Sequence, residues 1–469
     1  MTILNRLRNI VGEYHVFEEQ EGGKYGSDWT HSYVFKPLAI VRPADTNQVS
    51  EVVKLANEEK IAIVPMGGNT GLAGGTYAQG ALVISLERLN VIREVRKSSR
   101  IAVVEGGVVL DSLHKAVDDY DLIFPMTFGA RGSAMLGGML STNAGGSNVL
   151  RYGNTRDLCL GLEVVLPSGE IMDLMSELHK DNSGYDLRHL MIGAEGTLGI
   201  ITAAVLKLQP KPKAYATAMV ATRSLDDALL LLNSLQMTTG GAVQAFEYMP
   251  NKYLEKYFKI FPKARQPFAR KHQHNIMVEL GTTIKELYET RVDSKIQLIH
   301  SLESILEQEF EAGRVLEAVV AQNLAQRNEM WERREAAAEV TVSHKPLINN
   351  DVALPLDKIG EFFETIGNRL EGLDPGIEPV CVAHLGDGNV HYAVWPKSQN
   401  PAVHDEIVET VEEIVISLGG SFSAEHGIGI TKLSSMERRK NPIAMAVMRQ
   451  IKAALDPNNL MNPGKVIPK

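Results

Sequence analysis

The sequence predicts an α+β protein, and three observations carry this prediction. Strand-like and helix-like stretches follow one another between residues 39 and 208. A polar stretch with two prolines, residues 209–213, is typical of a linker. Beyond it, strand-like segments precede longer helical patterns in a second α+β part. With 469 residues, the chain is long enough for about three folding units of ordinary size.

The first part begins with a strand, a helix and a strand. Asp45 or Thr46 is the predicted N-terminal cap of this helix, because either side chain can accept a hydrogen bond from the first turn. Residues 1–35 are polar and lack strong periodicity. The elements predicted for this part cover residues 39–42, 46–59, 61–65, 160–167 and 200–208.

The second part has more strands and longer helices, and a helix ending near Asp456 closes the chain. Basic and aromatic residues at 251–275 favour a solvated face with core aromatics over a membrane-surface or redox-partner patch. The predicted strands cover residues 216–221, 242–248, 276–280, 351–354 and two runs within 378–395. The predicted helices cover residues 226–235, 294–311, 323–340 and 356–370.

The composition excludes several classes of protein. Lys and Arg total 48 against 57 Asp and Glu, and this net charge of −9 argues against a general nucleic-acid binder. Two cysteines, Cys159 and Cys381, exclude a disulfide scaffold and a Cys-rich zinc module. No apolar run approaches the roughly 18 residues of a membrane span, and the N-terminus lacks signal-peptide features. We therefore expect a soluble cytoplasmic protein, with peripheral attachment at the inner membrane as an alternative.

Three glycine clusters, at residues 67–75, 129–146 and 193–199, indicate a nucleotide cofactor. Each adjoins a strand-like run, where glycine lets backbone N–H groups approach a phosphate closely. Tight turns would explain any single cluster, but three clusters favour a bound nucleotide. No stretch fits G-x-G-x-x-G or G-x-x-x-x-G-K-[ST], so a Rossmann NAD domain and a P-loop NTPase are both disfavoured.

Residues 380–395, VCVAHLGDGNVHYAVW, predict a β-hairpin with two histidines on one face. If Asp387-Gly388 is the two-residue loop, His384 faces His391. Directly opposed residues have Cβ atoms about 4.5–5.5 Å apart, which suits a bidentate metal grip. The segment SFSAEHGIGI, residues 421–430, offers an adjacent glutamate and histidine as further ligands. Two histidines and a carboxylate favour Zn, with Fe or Mn as alternatives, over two structural histidines.

Several segments resemble FAD enzymes of the vanillyl-alcohol oxidase type. PMGGNTGLAGG, from Pro65, resembles their diphosphate loop, and GSAMLGG with STNAGG, residues 132–138 and 141–146, resembles a second flavin segment. RYG at residues 151–153, DNSGYDL at 181–187 and GAEGTLGI at 193–200 match as well. The resemblance runs from about Pro37 to Pro468 and points to the FAD-linked D-2-hydroxyacid dehydrogenases of the D-lactate, D-2-hydroxyglutarate and glycolate types.

The resemblance implies a fold and a cofactor, FAD. The implied architecture is a PCMH-type FAD-binding domain of two α+β subdomains, an α+β substrate or cap domain with an antiparallel sheet, and a C-terminal segment that returns to the flavin. The predicted boundaries are residues 1–212, 213–420 and 421–469. The residues implied to bind FAD are Pro65, Gly67, Gly68, Asn69, Thr70, Gly71, Leu72, Gly132, Ser133, Gly137, Gly138, Asn143, Gly145, Gly146, Tyr152, Gly153, Gly196, Gly199, Ile200 and Asn462.

The resemblance also implies roles around the hairpin. His384, His391 and Glu425 would bind the divalent metal, and His426 would be the general base. Arg334, in WERRE, aligns with the arginine that binds the substrate carboxylate; the alternative is that this arginine and the one before it are solvated on a charged helix.

The predicted reaction is the FAD-dependent, metal-assisted oxidation of a D-2-hydroxy acid to the 2-oxo acid. His426 would take the hydroxyl proton while hydride passes from C2 to flavin N5. The electrons would go on to a quinone, an electron-transfer flavoprotein or a dye, and an oxidase using oxygen is a second possibility. From a different class, a non-catalytic or partner-dependent FAD subunit of a glycolate-oxidase-like complex would have lost the metal ligands and base. The resemblance also implies a homodimer.

Four positions depart from the D-2-hydroxyglutarate pattern. Asn349 and Asn350 stand where relatives often carry Lys followed by His or Tyr, Ala338 replaces a Thr, and Ala393 replaces an Asn. These changes remove charge and hydrogen-bond donors near the substrate but leave the predicted ligands and base in place. They put a substrate with a second carboxylate in doubt.

Overall fold

The computed structural model describes residues 2–18, 23–292 and 295–469. Three sheets organise these residues: a four-stranded and a five-stranded sheet before residue 208, and a seven-stranded sheet after residue 213. No helix within the described ranges is long and apolar enough to cross a membrane.

The four-stranded sheet has helices packed against it. Its elements are α1 (Ile3–Val11), β1 (Val16–Phe17), β2 (Ala39–Val41), α2 (Thr46–Glu58), β3 (Ile63–Met66) and β4 (Leu82–Ser85). The strand order is β1-β2-β4-β3, and only β1 pairs antiparallel. Asp45 caps α2, as predicted, by accepting a hydrogen bond from the Gln48 N–H. Helix α1 was not predicted, although its Leu7 and Val11 are buried against this sheet.

The five-stranded sheet is antiparallel, with the order β5-β6-β10-β8-β9. Its strands are β5 (Ile92–Arg96), β6 (Ile101–Glu105), β8 (Cys159–Val165), β9 (Ile171–Leu174) and β10 (Ile200–Lys207). The helices of this region are α3 (Leu110–Asp118), α4 (Leu136–Thr142), α5 (Val149–Tyr152) and α6 (Leu187–Met191). The predicted linker joins this sheet to the next, but its first residues form a short strand, β11 (Gln209–Pro210), on β7 (Leu122–Ile123).

The seven-stranded sheet is entirely antiparallel, with the order β17-β12-β14-β13-β19-β20-β18. Its strands are β12 (Ala214–Thr222), β13 (Val243–Tyr248), β14 (His274–Thr282), β17 (Val315–Val320), β18 (Ile348–Ala353), β19 (Glu378–His384) and β20 (Asn389–Trp395). Strands β15 (Arg291–Val292) and β16 (Lys295–Ile296) form a separate pair.

Helices pack on both faces of the seven-stranded sheet. One face buries the apolar sides of α7 (Leu225–Thr239), α10 (Gln297–Glu311), α13 (Ile359–Leu373) and α14 (Pro401–Ser417). The other face packs against α8 (Asn251–Ile260), α11 (Leu324–Glu335) and α12 (Ala337–Val342). Helix α8 buries Tyr253 and Tyr257, which confirms core aromatics in this basic stretch. The helix α9 (Lys285–Glu289) is short, and the predicted start of α10 at Ser294 lies outside the described residues.

The end of the chain, which was predicted to return to the flavin, returns to the four-stranded sheet. After α15 (Leu433–Arg439) and α16 (Pro442–Leu455), Met461 pairs with Ile63 of β3. The Ile63 N–H donates to Leu460 O at 2.7 Å, and the Asn462 N–H donates to Ile63 O at 2.7 Å. The C-terminal residues therefore extend the edge of the four-stranded sheet.

The hairpin forms where predicted, but its predicted register is wrong. His384 pairs with Asn389, and His391 pairs with Val382, so the loop has four residues instead of two. The His384 carbonyl accepts hydrogen bonds from the N–H groups of Asp387 and Gly388 at 3.3 and 3.2 Å. A two-residue type I′ loop needs positive φ at both central residues, and here Gly388 has it but Asp387 does not. The histidines are consequently diagonal neighbours on one face.

The long helix predicted over residues 323–340 is two helices. Helix α11 ends at Glu335 and α12 begins at Ala337, with Ala336 as the break. Periodicity did not reveal this break, because apolar positions continue through it and both helices bury residues in the same cluster.

Candidate functional site

The first two predicted flavin segments meet through their glycine backbones. A Cβ atom at Gly68 would lie 1.9 Å from the Ser133 carbonyl oxygen, and one at Gly67 would lie 3.5 Å from the Gly138 nitrogen. Any side chain at Gly68 would therefore separate the segments. In contrast, no heavy atom of the described residues lies within 4 Å of a Cβ built on Gly71 or Gly138.

The third segment, residues 193–200, packs against the first, and we call the three segments together the cradle. A Cβ at Gly196, whose φ is +71°, would lie 2.6 Å from Cγ of Pro65. The Asn462 side chain donates to the carbonyls of Gly75 and Glu195 at 3.1 and 2.8 Å. Its Oδ1 is buried and has no hydrogen-bond partner among the described residues. Glycine backbone with open space above it and a buried, unpaired amide oxygen fit an extended nucleotide cofactor.

Other predicted flavin residues differ in backbone conformation, burial and contacts. Asn143 ends α4 with φ +51°, and Gly146 and Gly153 also have positive φ. Ile200 is 1% exposed and packs in the core of the four-stranded sheet, so its side chain supports the cradle from behind. Gly145 lies directly against Glu425, one of the predicted metal ligands, because a Cβ at this glycine would be 2.6 Å from Oε2 of Glu425.

Each hairpin histidine has a buried carboxylate beside its Nδ1 atom. His384 Nδ1 lies 2.9 Å from Oε1 of Glu247, which comes from the neighbouring strand β13. His391 Nδ1 lies 3.6 Å from Oδ1 of Asp351, which is its cross-strand partner on β18. Both carboxylate side chains are about 1% exposed. A carboxylate hydrogen-bonded to one ring nitrogen directs the other nitrogen to a metal, which fits His384; the 3.6 Å separation at His391 is a charge contact and not a hydrogen bond.

The segment after α14 brings Glu425 and His426 to the hairpin. Glu425 Oε1 lies 3.4 Å from His391 Nε2, and the His426 ring stacks on the His391 ring with centroids 5.5 Å apart. Ligand atoms of these three residues and Asp351 all lie within 4.8 Å of one another. His384 lies outside that group of four, with its ring centroid 5.2 Å from that of His391.

Arg334 is buried at the same place, so the alternative of a solvated arginine is wrong. Its Nε donates to Oε2 of Glu247 at 2.7 Å, and its Nη2 lies 3.3 Å from Nε2 of His384. Arg333 is buried too, but it faces away and donates to the Arg265 carbonyl at 2.7 Å. The paired arginines of α11 therefore have separate surroundings, and only Arg334 contacts the histidines.

Burial and neighbouring charges shift the pKa values of three residues of the site. Burial, together with the neighbouring His384, lowers the pKa of His391 well below its ordinary value, so its imidazole is neutral with a lone pair to offer. Burial raises the pKa of Glu425, although His384 opposes this. Burial alone would lower the pKa of His384, but the Glu247 carboxylate outweighs it and raises that pKa. The pKa shifts of Glu425 and His391 therefore favour a bound dication, whereas the raised pKa of His384 favours its protonated form, which must lose a proton to bind a metal.

The sequence did not assign Glu247 or Asp351 to the site. Both lie on strands whose pairing with the hairpin is a long-range property of the sheet. The available signal was a charged residue within an otherwise apolar strand, AVQAFEY for Glu247 and the stretch before Leu354 for Asp351.

The four positions that depart from the D-2-hydroxyglutarate pattern differ in burial and in hydrogen bonding. Asn350 is buried and donates to the Tyr392 carbonyl at 3.2 Å, which occupies its amide with backbone. Asn349 is exposed opposite Ala393, which is buried, and Ala338 is exposed.

A cleft of about 490 Å³ separates the glycine-rich part from the seven-stranded sheet. Its lining includes Thr127 and Asn148 on one side and Gln244 and Trp331 on the other. Gln244 is three residues from Glu247, and Asn148 is two residues from Gly146. The lining itself contains none of the predicted flavin residues, none of the predicted metal ligands, and neither Arg334 nor His426.

Comparisons with known proteins agree with this geometry. Residues 37–175 match the family described as FAD binding domain, and residues 211–466 match FAD linked oxidases, C-terminal domain. D-2-hydroxyglutarate dehydrogenase of Xanthomonas citri pv. viticola is 36% identical over 94% of this chain and 92% of that protein. The protein of the same name from Stutzerimonas stutzeri is 34% identical over 99% and 98%. The mitochondrial one from Arabidopsis thaliana is 33% identical over 98% and 81%.

Solved structures share the fold at low identity. A p-cresol methylhydroxylase structure superposes with a TM-score of 0.75 at 16% identity, over 99% of this chain and 96% of that one. A 4-ethylphenol oxidase from Gulosibacter chungangensis gives 0.73 at 18% identity, over 100% and 97%. These likenesses confirm the predicted α+β class, with a PCMH-type FAD-binding part and a C-terminal part built on a large antiparallel sheet. The chain therefore belongs to the FAD-linked oxidases, within the family of the FAD-dependent D-2-hydroxyglutarate dehydrogenases.

Proposed function

We propose that this protein oxidises a D-2-hydroxy acid to the 2-oxo acid with FAD and a divalent metal. The observation that carries the proposal is the pair of hairpin histidines, each with a buried carboxylate near Nδ1, beside Glu425, His426 and Arg334. A non-catalytic flavin subunit would have no use for this arrangement. The family membership supplies the flavin, and the relatives' printed names supply the class of substrate.

The proposed division of labour follows the predicted boundaries. Residues 1–212 would hold FAD, residues 213–420 would carry the hairpin and the substrate arginine, and residues 421–469 would complete both. Asn462 supports this division, because it bridges two glycine segments from the far end of the chain.

His384, His391 and Glu425 would hold the metal, for which Zn is the first choice because two imidazoles and one carboxylate suit it. When bound, FAD supplies the hydride acceptor and the metal supplies a Lewis acid for the substrate hydroxyl. Arg334 would hold the substrate carboxylate with its terminal nitrogens, since Glu247 already occupies its Nε.

His426 would remove the hydroxyl proton. Its ring is stacked on that of His391, and its backbone N–H donates to Oδ2 of Asp351 at 2.8 Å, which holds the residue in place. Its Nδ1 lies 3.8 Å from the same carboxylate. A negative charge near Nδ1 stabilises the imidazolium that forms when the other nitrogen accepts the proton.

The relatives' names point to D-2-hydroxyglutarate, but Asn349, Ala338 and Ala393 offer no cation for a second carboxylate. A monocarboxylic acid of the D-lactate type is therefore an equal candidate. The proposed acceptors remain a quinone, an electron-transfer flavoprotein or a dye.

The deciding experiment mixes purified protein anaerobically with a panel of D- and L-2-hydroxy acids and follows the flavin absorbance. We expect the oxidised flavin band to bleach with one or more D acids, and a dye to be reduced in turnover. Bound flavin that no acid of the panel reduces would contradict the proposal and favour the non-catalytic subunit.

Gly71→Ala tests the flavin cradle. Because no heavy atom of the described residues lies near a Cβ at this position, the protein without flavin should keep its melting temperature. The FAD dissociation constant should rise about tenfold or more, since a Cβ would occupy space over the diphosphate loop. Gly372→Ala, a helical glycine with equally open surroundings, is the matched control and should leave FAD affinity unchanged. Equal affinity in both variants would place the cofactor elsewhere.

Metal removal tests the hairpin site. Chelator treatment should abolish flavin reduction while FAD stays bound, and added divalent ions should restore it. His391→Ala should lose metal by elemental analysis, whereas His179→Ala, at an exposed position, should retain it. Full activity in a preparation shown to contain no metal would disprove the metal's role.

His426→Ala tests the base. Loss of general-base catalysis should slow flavin reduction by about 10²- to 10⁴-fold. FAD content should equal that of the unmodified protein, because His426 is not among the predicted flavin residues. A stopped-flow measurement at saturating acid checks the rate; a reduction rate within a factor of about two would assign the proton to another group.

A further inference from the structure

Two carboxylates from opposite sides hold the residues that carry Glu425 and His426. We call residues 424–429 the base segment. Asp351 reaches it from β18 of the seven-stranded sheet, and Glu195 reaches it from the glycine-rich loop before β10. Neither carboxylate belongs to the predicted metal ligands or to the predicted flavin residues.

Asp351 binds the first half of the base segment. Its Oδ2 accepts hydrogen bonds from the N–H groups of Ala424, Glu425 and His426 at 3.2, 2.9 and 2.8 Å. Its Oδ1 accepts a hydrogen bond from the Asn389 side chain at 2.9 Å, at the start of β20. One carboxylate therefore fixes the base segment against the hairpin that carries His391.

These partners show that Asp351 orients the base segment. Three backbone N–H groups converge on Oδ2, and the Asn389 amide uses one acceptor position of Oδ1. Lys432 Nζ adds a positive charge 3.8 Å from Oδ2. A metal ion at Oδ2 would have to displace several of these partners.

Glu195 binds the second half of the base segment. Its Oε1 accepts a hydrogen bond from the Ile428 N–H at 2.7 Å, and its Oε2 accepts one from the Gly429 N–H at 2.8 Å. A Cβ at Gly427 would lie 2.8 Å from the same carboxylate, so this close approach requires glycine. Glu195 is itself anchored in the cradle, since its N–H donates to the Ser141 carbonyl at 2.7 Å.

We propose that Asp351 and Glu195 are positioning residues that together set His426 between the flavin cradle and the metal hairpin. This inference rests on the proposed function. Five amides of the base segment, at residues 424, 425, 426, 428 and 429, donate to one or other carboxylate. The segment cannot move relative to either half of the molecule without breaking hydrogen bonds to a charged acceptor, which are the stronger kind.

The experiment compares Glu195→Gln and Asp351→Asn with the unmodified protein. Glu309→Gln is the control, because Glu309 is a buried carboxylate that pairs with Arg314 at the end of α10, away from the base segment. Amide hydrogen exchange of residues 424–429, FAD and metal content, and the rate of flavin reduction at saturating acid are measured for each.

Glu195→Gln should speed exchange at Ile428 and Gly429 by about tenfold or more, and Asp351→Asn should do so at residues 424–426. Glu195→Gln should keep its FAD and metal yet reduce the flavin about 10²-fold more slowly, because a displacement near 1 Å at the base has that effect. The half-saturating acid concentration should change much less than the rate. Glu309→Gln should alter neither exchange in the base segment nor the rate.

Three results would overturn the inference. The first is unchanged exchange in both carboxylate variants. The second is faster exchange with an unchanged reduction rate in Glu195→Gln. The third is loss of metal from Asp351→Asn, or of FAD from Glu195→Gln, without faster exchange, which would make that residue a ligand. If Asp351→Asn does not fold, Glu195→Gln decides alone. Failure of the proposed function would appear in the unmodified protein, whose flavin would stay oxidised with every acid.

Discussion

The site depends on one constraint: two buried carboxylates, on the strands that flank the hairpin, must be neutralised. Glu247 and Asp351 are 1% and 0% exposed, and an unpaired charge so far from water is very costly. Glu247 is satisfied by Arg334 and His384, whereas Asp351 is satisfied by backbone amides, Lys432 and His391. Folding this part of the sheet therefore requires the same side chains that the chemistry requires.

The cradle imposes a second constraint, which is that several of its positions must be glycine. The flavin segments touch each other by backbone, and glycines also let them approach the base segment: a Cβ at Gly429 would lie 1.9 Å from the Ala73 carbonyl oxygen, and one at Gly145 would lie 2.6 Å from Oε2 of Glu425. Neither glycine position therefore has room for a side chain. The two halves are thereby held at a fixed spacing, which a hydride transfer between bound groups demands.

The sequence predicted most of this arrangement, and the parts it missed share a physical cause. The α+β class, the hairpin and the returning C-terminus followed from local periodicity and resemblance. The hairpin register was wrong because the loop closes on the His384 carbonyl, which depends on φ at Asp387 and not on residue type alone. Glu247 and Asp351 escaped assignment because strand pairing, which brings them to the histidines, acts over 137 and 40 residues of chain. Periodicity cannot report such separations.

The pairing of Arg334 with Glu247 limits which side chain can stand at that position. The Nε of the guanidinium donates to the buried carboxylate of Glu247, and its Nη2 lies beside His384, while the fork still carries a further nitrogen, Nη1, for a substrate carboxylate. A lysine has a single nitrogen and would have to choose between the two anions. If that nitrogen bound the substrate, Glu247 would keep only His384 as a partner, and if it bound Glu247, the substrate carboxylate would have no cation here. The forked geometry of arginine lets one residue serve folding and recognition at the same time.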